Sequence, residues 1–110
     1  MASSYNINNL YPKPGIFNNT PLTASALTVT SSPGQLDAAF FSQNDQFTLV
    51  YLTVNNHPVY VTFDDSTPSS SNGHYWDAKT DHWLSRAAAK SAKFVHSGAD
   101  AVIFASPFEV

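Results

Sequence analysis

The chain has 110 residues, no cysteine, 14% aromatic and only 12% charged residues, and a net charge of −3. That length fits one domain with one modest core, the missing thiols exclude disulfides and thiolate metal sites, and five Lys and Arg in all are too few for a phosphate-neutralising face. A charged share about half the usual one leaves two readings of the surface, burial in an assembly or a coat of uncharged Asn, Ser and Thr.

Residues 1–24 read as an extended arm. They hold Asn6, Asn8, Asn9, Asn18 and Asn19, with Pro12, Pro14 and Pro21, and Lys13 is their only charged side chain. The prolines disfavour helix and central strand. Tyr5, Leu10, Tyr11, Ile16 and Phe17 are more apolar than a disordered tail would carry, so they are the expected anchors, docking on the arm's own domain or on a neighbouring subunit. The first residues lack the basic-then-apolar pattern of a secretory signal. No apolar run approaches the length of a membrane span. Together with the absence of disulfides, this points to assembly inside a cell.

Residues 25–110 read as a single β-rich domain. Leu27-Thr28-Val29-Thr30 alternates like a half-buried strand, and Ser31-Ser32-Pro33-Gly34 is a turn. Leu36–Phe41 fits a short strand or a single helical turn. Phe47–Val54 is dominated by β-branched and aromatic residues on both faces, the pattern of a buried strand. Asn55-Asn56-His57-Pro58 supplies turn chemistry before Val59–Phe63. The two runs are expected to form an antiparallel hairpin at the centre of the fold.

From Asp64 to Asp81 the chain reads as one long polar loop, the only place where acids, histidines and aromatics concentrate. Ser85 is an expected N-cap for a helix running to Ser97, with Ala88, Ala92 and Val95 as its apolar stripe and Gly98 as its C-terminal cap. Arg86, Lys90 and Lys93 would form its solvated side. Ala101–Val110 reads as a final strand whose last residues Pro107 places at an edge or beyond pairing range. The expected architecture is mainly β: an antiparallel β-sandwich-like domain with one short α-helix and an extended N-terminal arm.

The loop offers three kinds of chemistry. Its Asp, Asn and His residues could ligate a cation, His74, Asp77 and His82 supplying three ligands, but their spacing fits neither an EF-hand nor a regular zinc motif. Asx turns account for them more simply. Asp64 and Asp65 are adjacent, and neighbouring residues on an extended chain face apart, which argues against a shared acid–base site. There is no Gly-x-Ser-x-Gly elbow. Neither enzymatic activity nor a metal or other cofactor is therefore expected. Tyr75 and Trp76, beside Asp64, Asn72 and His74, make the remaining candidate, a contact loop able to stack on a sugar or a partner. Trp83, just before the helix, is assigned to the core.

Val59-Tyr60-Val61-Thr62-Phe63-Asp64, Ser66-Thr67-Pro68-Ser69, Asn72-Gly73-His74, Ala89-Lys90-Ser91-Ala92-Lys93-Phe94 and Ala105-Ser106-Pro107-Phe108 together resemble small virion proteins of tailed bacteriophages. The resemblance covers about the C-terminal half and departs at Asp65, where the pattern has glycine. It implies a structural role: a capsid decoration (cement) protein stabilising capsomer seams, partnered by the major capsid protein and by copies of itself. Its place would be the capsid surface, after synthesis in the host cytoplasm. Nucleic acid and membrane are not expected partners. A head–tail or tail component, or a carbohydrate-binding module on a phage fibre, is the alternative.

Overall fold

The computed structural model describes residues 24–42 and 47–109, together with three two-residue strands, Lys13–Pro14 (β1), Ile16–Phe17 (β2) and Thr20–Pro21 (β3). The domain then runs through Ser25–Val29 (β4), Ala38–Ser42 (α1), Leu49–Val54 (β5), Val59–Thr62 (β6), His74–Trp76 (β7), Asp81–Ser85 (β8), Arg86–Ser91 (α2), Lys93–His96 (β9) and Ala101–Glu109 (β10). The fold is mainly β and antiparallel, as the patterning predicts. One sheet has the order β1-β10-β5-β8, with β4 also on β10; a second has the order β7-β6-β9; β2 and β3 form a separate pair. Both larger sheets turn an apolar face to one core. Val29, Val50, Leu52, Val54, Ile103 and Ala105 enter it from the first sheet, and Val59, Val61 and Phe94 from the second.

The expected central hairpin does not form. Both runs are strands, but they lie in different sheets, and Asn55–Pro58 carries the chain across the core. The edges of β5 are taken by β10 and β8, over six and five register pairs, against the four residues of β6. Longer ladders with more cross-strand pairs win. The connection is tied at each end accordingly. Asn55 N donates to Val102 O at 2.9 Å on the first sheet, and Ser97 N donates to Pro58 O at 3.0 Å on the second.

Two short helices replace the single one expected. In α1, Asp37 accepts from Ala39 N through Oδ1 at 3.2 Å, capping a turn that carries buried Phe40 and Phe41. These rings meet Phe47 at 5.7 and 6.2 Å between centroids. In α2 the Ser85 cap forms as expected, its Oγ accepting from Ala88 N at 3.1 Å. The helix ends far short of Ser97. Ala92 is already extended, at φ −64 and ψ 130, and Lys93–His96 is a strand on β6. Six residues of helix carry little intrinsic stability, whereas Phe94 gains a fully buried ring and two bonds to Gly34, both 2.9 Å. Of the predicted stripe Ala88, Ala92 and Val95, only Ala92 is fully buried, and within the helix itself the buried residue is Ala89. The three cations do not share a solvated face either. Arg86 donates to Phe41 O and lies 4.2 Å over the Phe47 ring, while Lys93 pairs with Asp65 at 2.7 Å.

Pro107 does not end the last strand. It is buried opposite Val50, and β10 continues to Glu109. Val102 O bonds Asn55 N, so by antiparallel alternation the even residues of β10 bond β5 and the odd ones face the other edge. On that edge β4 stops at Ala105 and β1 begins at Phe108. Pro107 therefore stands where no donor is required.

The 64–81 segment is not one loop. Ser69 and Asn72 bond each other across a tight turn, at 2.9 and 3.2 Å; β7 then returns along β6, and a second short turn leads into β8. Gly73, at φ +110, is required there, since a Cβ would lie 2.5 Å from Val61 O. Asp65 has φ 70, a left-handed conformation uncommon for a residue other than glycine.

Candidate functional site

Of the candidate contact loop, Asp64, Asn72 and His74 come together around an open hollow with Thr62, Phe63 and Gly73. Their polar atoms are largely occupied by the loop itself. Asp64 Oδ1 accepts from both the hydroxyl and the amide of Ser66, bonds that hold its carboxyl below the usual carboxylate range. Asn72 spends its amide nitrogen on Ser66 Oγ and Thr67 O, at 3.0 and 2.9 Å. The Asp64–Ser66 contact is an Asx turn, and the Asn72 amide ties the tight turn back to Ser66 and Thr67.

Tyr75 and Trp76 are split by strand alternation. Trp76 turns inward, stacked on His82 at 3.8 Å with an 8° interplanar angle, and near Phe63 and Phe94. Tyr75 lies on the opposite face beside Tyr60 and is 55% exposed. They cannot grip one ring from the same side. His82 sits against Thr80 Oγ1 at 2.9 Å, and burial lowers its pKa below the usual 6.5, with Asp81 pulling partly back. His74 lies against Phe63 instead. Among the described residues no three His, Asp or Glu side chains form a group that could hold a metal ion.

The arm residues divide. Tyr5, Leu10 and Tyr11 lie outside the described residues. Ile16 and Phe17 form β2. Between them, β1 pairs Lys13 with Glu109 and Pro14 with Phe108, so part of the arm extends the domain's own sheet.

A second exposed aromatic surface was not anticipated. Trp83, expected in the core, is 47% exposed. β8 alternates with His82 and Leu84 inward and Asp81, Trp83 and Ser85 outward. Trp83 therefore stands on the outer face of the larger sheet, 4.7 Å from Tyr51 and 5.2 Å from Phe108 between ring centroids. Phe104 shares that face, next to Thr53 across the ladder. Asp81 is the only charged residue that alternates onto it among the described residues, and Tyr51 Oη donates to its carboxylate at 2.8 Å. A sequence signal was present. In β10 the inward residues include small Ala101 and Ala105, while the opposite parity carries Phe104 and Phe108. Large rings on the parity opposite the alanines mark a second apolar face. Such a face on a small domain marks a contact surface.

No family model, curated protein or solved structure matches this chain.

Proposed function

We propose that the protein is a structural component of a virion, a capsid decoration protein that seats on the major capsid protein at capsomer seams. The observation carrying this reading is the outer face of the larger sheet. It presents Tyr51, Trp83, Phe104 and Phe108 around a single carboxylate that is already hydrogen-bonded. An aromatic, weakly charged patch desolvates cheaply and can anchor an interface. The low overall charge and the resemblance of the C-terminal half to small phage virion proteins support the same reading. The protein binds; no catalytic step is assigned to it. The separation of Tyr75 from Trp76 removes the paired platform on which the carbohydrate-binding alternative depended.

The test is the copy number of the chain in intact particles, measured by quantitative mass spectrometry against the major capsid protein. A decoration protein is present in a fixed ratio to that protein, and Phe104→Asp reduces its incorporation at least tenfold. Absence from particles overturns the proposal. A handful of copies per particle moves the protein to the head–tail junction or the tail.

A further inference from the structure

We infer that the free edge of β8 receives the N-terminal segment of a second copy of this chain, which extends the larger sheet and its aromatic face. This deepens the assembly reading above by naming a partner and the place where it docks.

Three observations carry it. The first is the edge. Among the described residues β8 pairs only with β5. Val54 N bonds Thr80 O and Arg86 N bonds Thr48 O, so by alternation the main-chain groups of His82 and Leu84 serve β5. Those of Asp81, Trp83 and Ser85 point away, unpaired in the ladder. Exposed edges are often blunted by Pro or by charged side chains; β8 has no Pro or Lys, and its one charge, Asp81, is engaged by the Tyr51 hydroxyl. An edge of this kind accepts an added strand.

The second is the shape of the donor. Residues 3–11 contain no proline and no charge, and Tyr5-Asn6-Ile7-Asn8 alternates apolar with polar, the pattern of a strand with one apolar face. Laid on the β8 edge, that face would meet Trp83 and its aromatic neighbours. Nine extended residues reach about 30 Å, beyond the ~17 Å of a five-residue strand.

The third is direction. β1 runs antiparallel to β10, with Lys13 opposite Glu109, so the N-terminal end of β1 lies at the C-terminal end of β10. In the sequence Lys13 stands between Pro12 and Pro14, residues that favour extended backbone. Reaching its own β8 would require crossing β10 and β5 and then reversing. A second copy placed end-on requires neither.

The natural absence of cysteine allows a direct test with the full-length chain. Ile7→Cys and Trp83→Cys proteins, distinguished by tag length, are mixed under mild oxidation. A disulfide-linked mixed dimer is expected, and it should be lost when Ser70→Cys, in the tight turn of the other sheet, replaces Trp83→Cys. Deleting residues 1–11, or introducing Trp83→Lys, should weaken self-association at least tenfold in sedimentation, with the thermal midpoint of Trp83→Lys nearly unchanged. Failure to cross-link overturns the inference. So does an Ile7→Cys/Trp83→Cys double variant that closes within one chain. Unchanged self-association and full incorporation into particles of the chain lacking residues 1–11 would sink arm exchange and leave the decoration role standing. Mixed cross-linking by a chain absent from particles would do the reverse.

Discussion

The 64–82 region and the outer face of the larger sheet are opposites. The first gathers Asp, Asn, Ser, His and aromatic residues within one stretch of sequence, yet its groups are turned on one another. Asp64 and Asn72 both serve Ser66, and Trp76 stacks on His82. The second draws Tyr51, Trp83, Phe104 and Phe108 from three strands far apart in sequence, and leaves large rings facing outward. Clustering along the chain signals local structure here. Clustering across a ladder creates a surface available to something else.

The contrast can be broken from the core outward. Phe94 brings one fully buried ring from the second sheet into the shared core, so Phe94→Ala is expected to cost about 3–5 kcal/mol, read by urea unfolding. Ring loss that melted only the smaller sheet, as two transitions, would show that the sheets do not share a single core. Gly73→Ala should cost about 1–3 kcal/mol, from the left-handed backbone and the approach to Val61 O. If that variant is as stable as the parent, the tight turn is not the rigid device described here.

Removing the Ser85 cap with Ser85→Ala should cost about 1 kcal/mol, because a six-residue helix has few other supports. By contrast, Phe104→Ser on the outer face should change unfolding stability by no more than about 0.5 kcal/mol while weakening association. A large loss of stability there would make the face part of the monomer's own packing.

The smallest expected effect is a pH slope. Burial against Trp76 lowers the pKa of His82 from its ordinary 6.5. Below pH 6.5 the unfolded chain therefore binds a proton that the folded chain resists. The contribution of His82 is complete above pH 6.5 and is lost as pH falls from there through the lower folded value. His82→Gln should flatten the stability profile in that window; an unchanged slope would assign it to other groups.

Much of the strand content was legible because alternation and β-branching are local. Leu27–Val29, Phe47–Val54 and Val59–Phe63 identify themselves, and Ser85 declares its cap through one hydroxyl at the right offset. Partner choice was not legible. The turn chemistry of Asn55–Pro58 is the same whether β6 folds back on β5 or crosses to another sheet, and only competition from β10 and β8 decides it. Phe94 and Val95 were read as a continuing helix because alanines precede them, yet a strand vacancy beside β6 outweighs the propensity of one helical turn.

What the sequence determined by itself was the β-rich class, the helix start at Ser85 and the scarcity of charge, each set by side-chain geometry and chemistry within a few residues. Tertiary structure alone decided which sheet each strand joined, why Pro107 could be buried in β10, and which way Trp76 and Trp83 faced. Those outcomes depend on which backbone edges remain unpaired after the longest ladders form, and that competition extends over the whole chain.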